Sequence, residues 1–193
     1  MQLTPYILLS AYSQGIFPMA DADGTIYWYD PDPRAILPFD DFHIPRSLER
    51  RIRRGGFEVR FDTAFRPVMT ACAEPMSGRE TTWISPEFIE IYTELHQLGF
   101  AHSVETWIEG ELVGGLYGVT LGGLFAGESM FSRAADASKI ALVYLVERLR
   151  RQGFILLDCQ FMTEHLRRFG AIEIPRQEYK TRLAQALMVW TRF

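Results

Sequence analysis

The feature that most constrains this chain is a pair of tight turns in its middle, Glu109-Gly110 and Gly122-Gly123. They separate strand-like runs at 102–108, 111–120 and 124–128. Connections this short join antiparallel neighbours, so a meander is expected there. The period then changes. Leu142, Leu145, Val146 and Leu149 recur at i, i+3, i+4 and i+7 within 136–152, which is one face of a helix, and Gly153 stops it. The next run, 154–158, is apolar throughout, as in a strand buried on both faces. Strands gathered in one region with helices around them make the class α+β, mixed α/β in detail.

The flanks add shorter elements. Thr4 and Pro5 open a helix over 3–14 that Gly15 ends. Tyr27-Trp28-Tyr29 is a strand closed by Asp30-Pro31-Asp32-Pro33-Arg34, whose two prolines force extended backbone and a rigid corner. Further strands are expected at 34–39, 57–62 and 172–174, and helices at 45–54, 63–73, after Thr163 and after Pro175. Ser85-Pro86-Glu87 combines a cap, a first-turn proline and a first-turn acid, so a helix starts there and runs to 98. Residues 74–80 read as a loop. The expected division is a small N-terminal domain over 1–62 and a larger domain over 63–193.

With 48% hydrophobic residues and 13% aromatics the chain can bury a sizeable core, which excludes disorder. A net charge of −4 argues against a broad basic coat for nucleic acid but leaves room for a local patch. The candidate is 45–54, where Arg46, Arg50, Arg51, Arg53 and Arg54 meet a single Glu49. Those guanidiniums crowd about 14 Å of helix, which suits either a solvated face or a phosphate-bearing partner. Cys72 and Cys159 are expected as free thiols in a reducing compartment. Residues 1–10 lack the basic start of a secretory signal, and no apolar run approaches ~20 residues. A cytoplasmic protein with no membrane partner is expected.

The residues that carry chemistry sit at the ends of the apolar runs. Glu128, Asp158 and Gln160 each follow strongly apolar segments, where an unpaired polar group is expensive. On a strand, Asp158 and Gln160 share a face and Cys159 points the other way, so Cys159 reads as packing rather than nucleophile. Asp158 with Gln160 is either a structural network or part of a site. Glu128 is either an anion for a substrate or the ion-pair partner of Arg133. His43, His96, His102 and His165 lack metal-ligand spacing. Gly127-Glu128-Ser129-Met130-Phe131 lacks the second glycine of a nucleophile elbow, and no glycine-rich phosphate loop precedes a helix. No metal and no cofactor are expected.

Several long motifs appear together and in order. They are Gly15-Ile16-Phe17-Pro18, Trp28 with Asp30-Pro31-Asp32-Pro33-Arg34, Thr82-Trp83-Ile84, Gly114-Gly115-Leu116-Tyr117-Gly118 and Gly127-Glu128-Ser129-Met130-Phe131-Ser132. Asp136 through Lys139, Asp158-Cys159-Gln160 and Gly170-Ala171 through Pro175-Arg176 follow. In these the chain resembles the bacterial leucyl/phenylalanyl-tRNA–protein transferases, over nearly its whole length.

The resemblance implies a Gcn5-related N-acetyltransferase-like catalytic domain with a small, shortened N-terminal domain. It implies a monomeric enzyme that moves Leu or Phe, and also Met, from the 3′ end of aminoacyl-tRNA to proteins beginning with Arg or Lys, marking them for the N-end rule pathway. Gln160 is implied to contact the attacking amine, Asp158 to hold the Gln160 amide by its NH₂, and Glu128 to anchor the acceptor's first residue. Leu116, Phe125, Leu142, Leu145, Leu149 and Leu157 become the donor side-chain pocket. Trp28 and Trp83 become platforms for the terminal adenine, and Arg46, Arg50, Arg51 and Arg54 contacts to tRNA. Without the resemblance these leucines and tryptophans read as core. Typical members carry a further segment before the point where this chain starts and a longer tail, so trimmed tRNA contacts are expected. The runner-up is a coenzyme A-dependent N-acyltransferase of the same fold. It needs a glycine-rich basic turn between 128 and 140, where Ser132-Arg133-Ala134-Ala135-Asp136 has no glycine.

Overall fold

The meander expected from the turns is present: β5 (Ala101–Ile108), β6 (Glu111–Leu121) and β7 (Leu124–Ser132) run antiparallel. The computed structural model describes residues 3–21, 23–75 and 82–193. Strands from both ends of the chain extend the meander. β4 (Glu58–Phe61) pairs antiparallel with β5, while β8 (Leu156–Gln160) lies parallel to β7. β3 (Arg34–Ile36) and β9 (Ile172–Ile174) complete a seven-stranded sheet in the order β4-β5-β6-β7-β8-β3-β9. The mixed α+β class read from the sequence is the one observed. β1 (Phe17–Ala20) and β2 (Ile26–Tyr29) form a separate two-stranded ribbon.

The parallel step from β7 to β8 needs a crossover, and α5 (Ala137–Arg151) supplies it. Its buried face includes Leu142, Leu145, Val146 and Leu149, the residues of the helical repeat. These pack with Leu116, Phe125 and Leu157 on one side of the sheet, joined by Leu48 from α2 (Arg46–Arg54). The other side is covered by α1 (Pro5–Ser13), α3 (Phe65–Ala73), α4 (Pro86–Gln97) and α7 (Arg176–Leu187). α4 starts as its sequence dictates, with Ser85 Oγ accepting from the Phe88 amide and Pro86 in the first turn. It buries Phe88, Ile91, Tyr92 and Leu95, again at helical spacing. α3 is capped from outside. Glu105, buried on β5, accepts from the amides of Thr63 and Ala64, placing an anion at a helix N-terminus.

Alternation along the central strands sorts side chains between the two cores, and two irregularities break it, one at Val113 on β6 and one at the site. Tyr117 faces Ser129 and Gly118 faces Gly127 across β6 and β7, which leaves Glu128 as the extra residue of a β-bulge. Beyond the bulge, Met130 packs with the α5 core and Phe131 with the opposite one. The parallel pairing of β7 with β8 reaches only Ala126–Asp158, although both strands continue. The sheet therefore opens between its two central strands.

Both β3 and β4 precede residue 63, yet both are hydrogen-bonded into the main sheet. A division at 62 runs through that sheet, and among the described elements before it α1, α2 and the β1–β2 ribbon stand outside. The loop expected over 74–80 lies mostly outside the described residues, at 76–81. No helix among the described residues is long and apolar enough to cross a membrane.

Candidate active site

The site is built where the sheet opens, and its foundation is an ion pair. Arg34 and Asp158 are each 1% exposed and meet diagonally across the β3–β8 pair, in which Asp158 stands opposite Ile36. The guanidinium meets the carboxylate with two bonds, Nε to Oδ1 at 2.9 Å and Nη2 to Oδ2 at 2.6 Å. Two further donors complete the carboxylate: the Gln160 main-chain amide on Oδ1 at 2.9 Å and the Tyr179 hydroxyl on Oδ2 at 2.8 Å. Arg34 also donates from Nη1 to the Gly15 carbonyl at 2.9 Å and lies over the rings of Phe17 and Tyr179. A buried pair is tolerable only when the remaining donors and acceptors are met, and here they are. Burial and then the Asp158 charge push the Tyr179 phenol well above its ordinary range, so it stays a donor.

Asp158 thus holds Gln160 by its backbone. One expectation differs from this. The sequence reading gives Asp158 the Gln160 side-chain NH₂, but Arg34 and Tyr179 take the carboxylate's outer lone pairs. Gln160 sits at φ 64°, a left-handed turn stabilised by its amide bond to Asp158. Its side chain crosses the opening, where Nε2 donates to Glu128 Oε1 at 3.0 Å.

Glu128, on the bulge, also accepts from Tyr12 Oη at 2.7 Å, and the Tyr12 and Tyr92 hydroxyls are 2.6 Å apart. With the Tyr12 proton committed to the carboxyl, Tyr92 donates to Tyr12. Glu128 Oε2 is buried without a partner among the described residues. Burial pushes the Glu128 carboxyl up to about 8, with the bonds from Tyr12 and Gln160 opposing and the Asp158 charge adding to the rise. The expected alternative partner, Arg133, instead pairs with Glu74 at 2.8 Å. Cys159 is a thiol that burial, then the Asp158 charge, pushes well up, consistent with packing.

A cavity of about 530 Å³ fills the gap between β7 and β8. Leu116, Leu142, Leu145 and Leu157 line it from the α5 side, and Glu128, Asp158, Gln160 and Trp83 also border it. Phe125 and Leu149 do not line it: both are wholly buried in the α5 core, one layer behind. Trp28 is 43% exposed on the ribbon and is not among the lining residues.

Farther out, α2 presents Arg46, Arg50 and Arg54 to solvent, while Arg51 bonds the Gly55 carbonyl at 2.6 Å. Asp62, His96 and His102 bring three ligand-type atoms within 4.8 Å of one another, a proximity the sequence spacing does not reveal. They satisfy themselves: Asp62 meets His102 Nδ1 at 2.8 Å, and His96 Nδ1 meets the Ala101 carbonyl at 2.8 Å.

Known proteins match this chain end to end. The family description of the leucyl/phenylalanyl-tRNA protein transferase matches residues 36–184, and that of its N-terminal domain matches 1–32. A leucyl/phenylalanyl-tRNA–protein transferase of Herpetosiphon aurantiacus is 64% identical over 193 residues, covering 100% of this chain and 98% of that protein. The chain belongs to the leucyl/phenylalanyl-tRNA–protein transferase family. Another such transferase, from Paramagnetospirillum magneticum, is 56% identical over 187 residues, 96% of this chain and 90% of that one. Among solved structures, a ribosomal-protein-alanine N-acetyltransferase from Brucella melitensis aligns over 57% of this chain and 85% of its own, at 13% identity and a TM-score of 0.40.

The family's own division falls between residues 32 and 36, ahead of β3, rather than at 62. As a member of this transferase family, the chain is an enzyme, and its candidate site rests on four residues that the sequence did not single out: Arg34, Tyr179, Tyr12 and Tyr92. Arg34 had a visible signal, a cation opening the apolar run Ala35-Ile36-Leu37. The tyrosines had none, since they lie on helices remote in sequence. Removing one member of a buried, fully bonded pair costs about 3–5 kcal/mol. Arg34→Met is therefore expected to lower the unfolding free energy by that amount in urea titration. A loss of less than about 1 kcal/mol, the size of an exposed pair, would contradict the burial and bonding described here.

Proposed function

We propose that this enzyme transfers Leu or Phe, and also Met, from aminoacyl-tRNA to the α-amine of proteins beginning with Arg or Lys, forming a peptide bond and marking them for N-end rule degradation. The observation that carries this reading is the cavity itself, which joins a leucine-lined end to a polar strand end across one opening. Ester aminolysis needs little beyond positioning, which can supply ~7–11 kcal/mol in ideal cases. Leu116, Leu142, Leu145 and Leu157 receive the donor side chain, which sets the ester carbonyl near Gln160. The Gln160 amide oxygen orients the attacking amine; it is too weak a base to keep the proton. Asp158 holds the Gln160 backbone and touches no substrate. Trp83, edge-on to Phe88 at 5.8 Å, offers a face at the cavity wall for the terminal adenine. The exposed arginines of α2 bind tRNA phosphates. A coenzyme A reading is not favoured, because the first amides of α5 are already bonded, Ala137 to the Ala134 carbonyl and Ser138 to Ser132 Oγ.

Donor discrimination tests the pocket. Single-turnover transfer to a peptide beginning with Arg should be faster from leucyl-, phenylalanyl- and methionyl-tRNA than from valyl- or alanyl-tRNA, by roughly 10–200-fold per missing methylene. Leu145→Phe should shift preference toward smaller donors. Valyl-tRNA reacting as fast as leucyl-tRNA would remove the pocket assignment.

The arginine helix is tested separately. Charge reversal at Arg50 and Arg54 should raise the KM for aminoacyl-tRNA and flatten its dependence on salt, while a leucyl-adenosine donor is unaffected. Equal losses on both donors would make the helix structural.

A further inference from the structure

One acceptor atom of a residue that borders the cavity is left unused. Glu128 Oε1 takes bonds from Tyr12 and Gln160, whereas Oε2 is buried and has no partner among the described residues. A buried carboxyl oxygen without a donor costs free energy that an arriving donor recovers. The neighbouring groups offer no alternative on this face. Asp158 is filled by Arg34, Tyr179 and the Gln160 amide. Gln160 has its NH₂ bonded to Glu128, and its carbonyl oxygen is barely basic. Tyr12 and Tyr92 are held as neutral donors, their phenols pushed well up by burial and then by the Glu128 charge.

We propose that Glu128 takes the proton of the attacking α-amine through Oε2, and that Tyr12 and Tyr92 position its carboxyl for that task. The proposal rests on the aminoacyl-transfer reading above. The amine nitrogen attacks the ester carbonyl carbon, and an N–C bond forms. One N–H proton passes to Glu128 Oε2. The C–O bond to the ribose breaks, and Glu128 returns the proton to the departing ribose oxygen. Atoms and charges balance, and the carboxylate is regenerated.

The electrostatics around the bulge fit this role better than that of a standing anion. With its carboxyl pushed up to about 8, Glu128 is mostly protonated at neutral pH when the site is empty. Asp158 favours that neutral form, and Arg34 opposes it. A cationic side chain entering the cavity would favour the ionised form. A basic first residue of the acceptor therefore favours the ionised base as it binds. The match is also good for proton transfer, since an α-amino group titrates near ~7.7–8.0.

The experiment uses the full chain, leucyl-tRNA and a peptide beginning with Arg, with kcat/KM for the peptide followed from pH 6 to 9.5. Free Glu128 and the free amine must both lose a proton, so the acid limb of log(kcat/KM) should approach a slope of two. Glu128→Gln keeps the size of the side chain and a carbonyl for Tyr12. It should lower kcat by roughly 10²–10⁴-fold, leave the acceptor KM within about threefold, and reduce the slope to one. Tyr12→Phe should keep the slope of two but move the Glu128 limb to higher pH, because a bond that favours the carboxylate is lost. That outcome does not depend on how well Glu128→Gln folds.

A raised KM with kcat spared in Glu128→Gln would make Glu128 a static anchor and overturn the proposal. So would a slope of one in the parent enzyme. His165 also borders the cavity, and its Nε2 has no partner among the described residues. If His165→Asn rather than Glu128→Gln halves the slope, the proton goes there and the proposal fails. Failure of the transfer reading looks different: the parent enzyme would then make no leucyl-peptide at any pH.

Discussion

The ion pair between Arg34 and Asp158 is the constraint on which the rest of this structure depends. Two charges buried to 1% exposure cost several kcal/mol each to desolvate, and only a complete set of partners offsets that. The set is drawn from across the chain: Gly15 after α1, Arg34 on β3, Asp158 and Gln160 on β8, and Tyr179 on α7. The same bonds that make the pair tolerable therefore tie the two ends of the chain to the centre of the sheet. They also decide the chemistry. A carboxylate whose lone pairs are all engaged has nothing left for a substrate. In the proposed reaction Asp158 acts only through Gln160, whose left-handed turn it supports.

The opening beside this pair has a topological cause. β7 and β8 are parallel neighbours at the middle of the sheet, and their shared pairing stops at Ala126 and Asp158. The bulge at Glu128 gives β7 an extra residue, which turns a carboxyl toward Tyr12 and Gln160. Past that point the two strands leave room for a cavity that reaches the leucines of α5 on one side and Glu128, held by Tyr12 of α1, on the other. Binding sites at the carboxyl ends of parallel strands recur for this reason: the loops diverge where the ladder ends. Here the opening brings an apolar compartment and a polar, poorly solvated carboxyl within one cavity.

Much of this was legible in the sequence. The hairpin turns, the helical repeat of Leu142, Leu145 and Leu149, and the apolar run before Asp158 each belong to the element they predicted. Period two along β8 correctly put Asp158 and Gln160 on one face and Cys159 on the other. Period alone could not show the bulge, because Leu124, Phe125 and Ala126 alternate regularly up to it and nothing in Gly127-Glu128-Ser129 marks the extra residue. Nor could it separate Leu145, at the cavity wall, from Leu149, one turn later and fully packed. Those two differ by rotation around α5, which only the packed sheet determines. Strand pairing between residues 34–36 and the far end of the chain likewise leaves no local trace.

The most direct measurement is a double-mutant cycle on the single-turnover transfer rate, using leucyl-adenosine and a peptide beginning with Arg at saturation. Arg34→Gln and Asp158→Asn should each slow transfer by roughly 10–100-fold, the worth of a charge-assisted hydrogen bond of about 1.5–3 kcal/mol. If Asp158 works only as part of the pair that holds Gln160, the double variant should be little slower than either single one. The coupling between the two sites would then be about as large as a single effect. Losses that simply multiply would mean that Asp158 reaches the reacting atoms independently of Arg34, and would contradict this account.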